Sequence, residues 1–318
     1  MALPSARDVH VDVALTDLSV TYRQEAPAYA ERIFPAVPVM NQSNKYYIWD
    51  KGDMWRRTAQ ERAAGTKFAR GGARLSTDSY YSKQYALEHV IADEIRRNSD
   101  AAIDPERAGV NFLVDQINLE KDYQWAATYM AGSGTGWTAG SLGGGGKWDT
   151  STGAPVTDVQ YWKSLIKQQV GASTNIRYVG VCGAIVKARL MGNAQIRSSN
   201  IYVNTGTADA IDRSLAAVLG IDDLVVFDRV HNTAAEGKTA SYSPLVDDDF
   251  LLVAVARTPG LDVPSAGYSF EWDDGNGTMY VESYRDETIK SDVLRSIGYF
   301  DLKQVAAGLG VITYDVCD

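Results

Sequence analysis

Apolar positions recur at three- and four-residue spacing over one long stretch, and that pattern predicts a single dominant helix. Between Asp104 and Gly132, Val110, Leu113, Val114 and Ile117 form one stripe, and Phe112, Leu119, Tyr123, Ala126 and Met130 form a second beside it. Asp104 suits the cap, Pro105 the first helical position and Gly132 a left-handed stop. The 27 residues from Pro105 to Ala131 would span roughly 40 Å. Such a helix is a spine, and its wide apolar face needs a broad partner.

Before the spine the pattern is sparser. In residues 1–44, Val9, Val11, Val13 and Leu15, then Ile33, Phe34, Val37 and Val39, are cut by Pro4, Pro27, Pro35 and Pro38. Prolines disfavour helix here, so an extended arm lying on some other surface is expected, with room for a short helix only from Leu18 to Tyr29. KYYIWDKGDMWRR, from Lys45, alternates like a strand, and LSTDSYYSKQYALEH, from Leu75, reads as its return. Together they predict a long hairpin, followed by a short helix around Ala86 to Arg97.

After the spine, GSGTGWTAGSLGGGGKW (132–148) is rich enough in glycine to act as a flexible or tightly bent connector. Helices and strands then alternate: a helix from Thr157, taken as its cap, to Val170; strand IRYVGVCG; helices near Ala184 to Met191 and Ala208 to Leu219; strands LVVFDRV and FLLVAVA. A lobe with a small buried sheet is expected. YSFEWDD follows, then DDGNG (273–277) as a hairpin turn, a long strand-rich segment, and VITYDV.

Charge sharpens the picture at the hairpin. Residues 56–74 carry Arg56, Arg57, Arg62, Lys67, Arg70 and Arg74 against Glu61, a net +5, which leaves −14 on the remainder of a 318-residue chain that is −9 overall. Overall acidity argues against coating nucleic acid through a general positive field. A basic ribbon on an acidic chain instead fits another copy of the same chain, and reversing Arg70 and Arg74 to Glu is expected to spare the isolated fold but block assembly. Two cysteines, Cys182 and Cys317, make no disulfide framework, and MALPSARDVHVDVAL lacks a leader's charge and apolar core, so cytoplasmic folding is expected. No apolar run approaches a membrane span.

Catalytic signatures fail on inspection. In the glycine run, Ser141 stands where a phosphate-binding loop needs its first glycine, and Trp148 where it needs a hydroxyl. His10, His89 and His231 are scattered, no nucleophile elbow occurs, and Cys182 sits inside an apolar strand. Asp247, Asp248 and Asp249 lack the alternating ligands of a calcium loop. No cofactor, no metal and no catalytic residue is expected.

The order of these segments resembles the major capsid protein family of tailed bacteriophages. RIFPAVPV, KYYIWDKGDMWRR, ADEIRRNSD with the spine, KWDTSTGAPVTDVQYWKSLIKQQVGASTNIRYVGVCGAIVKARLMGNAQI and YVESYRDETIKSDVLRSIGYFDLKQVAAGLGVITYDV carry the likeness, which covers nearly the whole chain. It implies an α+β fold with a long spine helix on long antiparallel strands, an axial α/β lobe and an extended β-hairpin. The implied parts are an N-terminal arm (1–44), the hairpin or E-loop (45–85), a peripheral domain (86–147 and 263–304, spine 105–131) and an axial domain (148–262 and 305–318). It further implies a non-enzymatic subunit whose hexamers and pentamers close an icosahedral shell around double-stranded DNA. Expected partners are copies of itself, a separate scaffolding protein, a portal and, in some cases, a decoration protein; the expected location is the virion, after assembly in the host cytoplasm. No scaffolding segment precedes the arm, and Met1 speaks against N-terminal trimming. Subunit contacts are expected at Phe34, Trp49, Trp55, Arg56, Arg57, Arg62, Lys67, Arg70 and Arg74; Lys67 lies on the hairpin where some relatives crosslink. The alternatives are a decoration or tail-tube protein, and a nucleotide-binding enzyme using the 132–148 loop.

Overall fold

A computed structural model describes residues 28–98, 104–132, 135–143, 146–171, 173, 175–199, 208–260, 263–275 and 277–318. The first 27 residues of the expected arm, and almost all of its expected helix, lie outside them.

In chain order the elements are α1 (Tyr29–Ile33), β1 (Ala36–Val39), β2 (Ser43–Trp49), α2 (Lys51–Met54), β3 (Leu75–Tyr81), β4 (Lys83–Ala92), α3 (Asp93–Asn98), the spine α4 (Pro105–Tyr129) and β5 (Thr138–Ala139). They continue with α5 (Pro155–Val170), β6 (Ile176–Gly183), α6 (Ala184–Gly192), α7 (Ala194–Ser199), α8 (Ala208–Leu219), β7 (Asp223–Phe227), β8 (Val230–Asn232), β9 (Tyr242–Pro244) and β10 (Phe250–Ala256). The last strands are β11 (Gly267–Trp272), β12 (Met279–Asp286), β13 (Ser291–Gln304) and β14 (Gly310–Thr313).

Two five-stranded sheets organise the molecule. The first is built on the 14-residue β13, with β4 antiparallel along one edge and both β12 and β11 antiparallel along the other; β1 then joins β11 in parallel. The spine lies on this sheet through Leu113 and Ile117, packed against Ile91, Leu294 and Gly298. Its start is as expected: the Asp104 carboxylate accepts from the amides of Glu106 (3.0 Å) and Arg107 (3.2 Å), ahead of Pro105. It ends two residues early, at Tyr129, whose hydroxyl donates to Leu302 O and accepts from the Gln304 amide. Gly109 lets it sit low, since a Cβ there would fall 2.7 Å from the His89 ring.

The second sheet runs β5-β14-β10-β6-β7. All seven residues of β10, FLLVAVA, are buried, as a strand covered on both faces requires. Trp148, Trp162 and Phe250 pack together beneath α5, and Asp158 accepts from the Trp148 indole at 2.9 Å and from the Gly143 amide at 2.9 Å.

Several expectations are corrected. Residues 83–92 form strand, and only Asp93–Asn98 is helical; the helix-favouring Ala86, Leu87 and Glu88 are overridden by ten backbone pairs to β13. The DDGNG segment is not a hairpin turn. β11 and β12 both run antiparallel to β13 along the same edge, so it joins two collinear strands, and Asp273 caps it by accepting from the amides of Gly275 and Gly277. The true turn is Glu287–Lys290, where Lys290 takes φ 47°. Helix α5 starts at Pro155 without a side-chain cap; Thr157 lies in its first turn and accepts from Gln195. The glycine-rich segment is no flexible linker where it is described: Trp137 and Trp148 are buried, Thr138–Ala139 pairs with β14, and the second sheet's core runs on to the spine's end at Trp125, Ala126 and Tyr129, while Ile91, Leu113 and Leu294 form a separate cluster on the first sheet. On the spine, Phe112 and Tyr123 are exposed, while Lys121, Asp122 and Trp125 are buried in their stead.

Candidate assembly interface

Strands β2 and β3 pair over seven residues from Ser43↔Tyr81 to Trp49↔Leu75 and form a two-stranded ribbon separate from the two large sheets. Tyr46 and Tyr80 root it by stacking on Phe270, at 5.5 and 4.6 Å between centroids. Asp78 accepts from the Ser79 amide and the Tyr46 hydroxyl and pairs with Lys303, and these contacts, the Ser79 amide's first, hold its carboxyl below the usual range.

Beyond the ribbon, Asp50 caps the single-turn α2 by accepting from the Gly52 amide at 2.8 Å. Arg74 closes the neck from the returning side, 3.0 Å from Asp50 and 2.7 Å from Asp53, with Arg56 3.8 Å from Asp53. Hydrogen bonding from Arg74 draws the Asp53 carboxyl down. Arg74 thus clasps the neck from the returning side. The neck also touches α5 of its own chain: the Lys51 ammonium donates to Gln169 Oε1 and lies 4.6 Å over the Trp55 ring, which rests against Gly171.

The loop from Arg56 to Arg74 is exposed at every residue except Ala73, which is half-buried. Arg62 donates to Thr66 O at 2.7 Å and stacks over Phe68, whose ring is 76% exposed. Arg57, Lys67 and Arg70 have no ion-pair partner among the described residues. The loop is thus a basic surface around one apolar ring, with Glu61 its single carboxylate.

The named contact residues divide accordingly. Arg56 and Arg74 are brought together at the neck, Trp55 packs half-exposed on its own chain, and Arg57, Arg62, Lys67 and Arg70 ring the loop. Trp49 is placed by its backbone pairing to Leu75. Phe34 is a correction: it is fully buried in its own chain, packed on Trp125, Tyr129 and Trp137 and seated on Gly267, where a Cβ would lie 2.5 Å from its ring. Sequence reasoning missed Phe68, an aromatic in a run of basic residues, and Lys51, whose place after an N-capping Asp was the available signal.

The arm's described end is fastened by polar groups. Ala30 donates its amide to the buried Asp122 at 2.8 Å, and Arg229, 2% exposed, lies 3.3 Å from the same carboxylate. Lys121, also buried, bridges Glu31 at 2.7 Å and Glu271 at 2.6 Å. Burial pushes the Asp122 carboxyl up to about 6 despite these partners. No group of metal-ligating side chains occurs among the described residues, and burial pushes the Cys182 thiol up to about 12, as for an inert core cysteine. Lys147, at the end of the glycine run, is held by Asp315 and Asp318. No helix among the described residues is long and apolar enough to cross a membrane.

The sequence matches no family model and no curated protein. Solved structures do match, over almost their whole lengths. A phage-related protein of Bordetella bronchiseptica RB50 aligns at TM-score 0.67 and 20% identity over 93% of this chain and 94% of that one. The capsid of cyanophage P-SCSP1u aligns at 0.62 and 11%, over 98% and 95%. The chain has the fold of tailed-phage major capsid proteins. An encapsulin of Synechococcus elongatus PCC 7942 shares it at TM-score 0.57 and 10% identity, over 100% and 98%.

Proposed function

We propose that this chain is a major capsid protein whose copies assemble into hexamers and pentamers and close an icosahedral shell around packaged double-stranded DNA. One observation carries the reading: the chain aligns with a phage capsid structure over 98% of its length and with an encapsulin over all of it. In this account residues 1–44 are the arm, 45–85 the E-loop, 86–147 with 263–304 the peripheral domain, and 148–262 with 305–318 the axial domain around the capsomer centre. The loop contact is made in trans by Arg57, Arg62, Lys67 and Arg70 around Phe68. Exposed charges suit interfaces that form and re-form during assembly, and several standard interfaces of about 1,600 Å² each add up over a lattice. The acidic remainder limits sticking to DNA. The subunit acts as a structural protein of the virion, assembled in the host cytoplasm with a separate scaffolding protein and a portal, and open to a decoration protein.

Electron microscopy and sedimentation of the purified protein, alone and co-expressed with a scaffold, test this. Closed shells or capsomer rings are expected, carrying nucleic acid when formed with the packaging machinery. Helical tubes would favour a tail-tube protein, shells filled with protein cargo an encapsulin-like compartment, and a monomer under every condition would overturn the shell reading.

A further inference from the structure

The loop between Arg56 and Arg74 holds an organised feature that a contact made by charge alone does not need. Thr66 turns back on Ala63 O through its amide (3.3 Å) and its hydroxyl (2.8 Å), with Gly65 at φ 83° allowing the reversal. Arg62 donates across this turn to Thr66 O at 2.7 Å, and its guanidinium lies 4.2 Å from the centroid of the Phe68 ring. The ring is nonetheless 76% exposed. A planar cation and an aromatic ring are thus stacked in advance, with most of the ring open to solvent. Arg57, Lys67 and Arg70 are exposed on the same loop, without ion-pair partners among the described residues.

An exposed ring among cations suits a single strand of nucleic acid, because the cations follow its phosphates and the ring stacks on a base whichever base it is. Other polyanions fit less well. An acidic peptide would meet the charge but leave the ring without a stacking partner. A duplex keeps its bases stacked inside, and its stiffness, persisting over about 150 base pairs, would carry its phosphates across the rest of the chain. That remainder has a charge of −14, from −9 overall minus the +5 of residues 56–74, and repels them. A single strand can bend away after a few nucleotides, and its bases are open to stacking.

We propose that in the unassembled subunit the 56–74 loop binds single-stranded nucleic acid without sequence preference, one base stacking on Phe68 and the neighbouring phosphates pairing with Arg57, Lys67 and Arg70. Nucleic acid and a neighbouring subunit then compete for the same cations.

Fluorescence anisotropy of a labelled oligothymidylate of about 20 nucleotides, long enough for one such site, tests this when titrated with the unassembled protein, and its outcome is independent of whether shells form. Three phosphate contacts predict an affinity that falls roughly 20-fold between about 50 and 200 mM salt. Phe68→Ala is expected to weaken binding roughly tenfold and Phe68→Trp to retain it. Arg57→Glu, Lys67→Glu and Arg70→Glu together are expected to abolish it, and a duplex of the same length to bind more weakly than the single strand. Thermal melts matching the wild type are expected for every variant, since all four side chains are exposed. No binding at low salt, an unchanged affinity for Phe68→Ala, or equal affinities for single strand and duplex would each overturn the proposal, the last two by leaving only an unspecific charge field.

Discussion

Phe34 and Asp122 anchor the arm, and each makes its own prediction. Removing the Phe34 ring leaves a cavity among Trp125, Tyr129 and Trp137, so Phe34→Ala is expected to cost about 3–5 kcal/mol in denaturant melts of the unassembled protein. Unchanged melts with lost assembly would return Phe34 to the subunit interface. Asp122 makes stability depend on pH in an unusual direction. Its carboxyl is raised from 3.8 to about 6 by burial, so its contribution is full below its ordinary value and lost as pH rises through about 6. At about 1.4 kcal/mol per pH unit of difference, the wild type is expected to gain up to about 3 kcal/mol on Asp122→Asn between pH 7.5 and 4. Parallel stability profiles for the two proteins would contradict this. The cap at Asp104 and Pro105 was legible because local signals decide a helix start. The buried Lys121 and Asp122 were not, because a charged residue reads as solvent-facing until its partners Glu31, Glu271 and Arg229, all distant in sequence, are known.

At the scale of elements, the loop and its neck behave differently. Reversing Arg57, Lys67 and Arg70 together touches no ion pair among the described residues, so the melting temperature of the unassembled protein is expected to stay within about 2 °C while particle yield collapses. Arg74→Glu sets a third carboxylate beside Asp50 and Asp53, so faster hydrogen exchange is expected across residues 50–56, even in the monomer. Equal exchange in both variants would remove Arg74 from its role as a clasp. The ribbon and loop were readable because charge segregation and alternation are local. The later half of β4 was not, since Ala86, Leu87 and Glu88 favour helix and their pairing with β13 makes them strand. The DDGNG segment has every property of a tight turn, yet β13 is long enough to hold β11 and β12 end to end, so the chain continues in line.

For the whole molecule, the large core of the second sheet runs on to the spine's end through Trp125, Ala126 and Tyr129, and Trp137 and Trp148 bind the glycine-rich segment into it. The order of spine, alternating lobe and closing strands was legible in sequence because it is a one-dimensional property. The continuity of the core was not, because glycines that allow close packing and glycines that allow bending look alike. In such a subunit the exposed loop of the ribbon is offered to neighbours. The most direct measurement is a subnanometre electron cryo-microscopy reconstruction of the assembled particle. The account predicts capsomers of five and six copies with residues 56–74 of each lying on the adjacent subunit. A particle in which that loop lies on its own chain, or a protein that stays monomeric with and without scaffold, would contradict it.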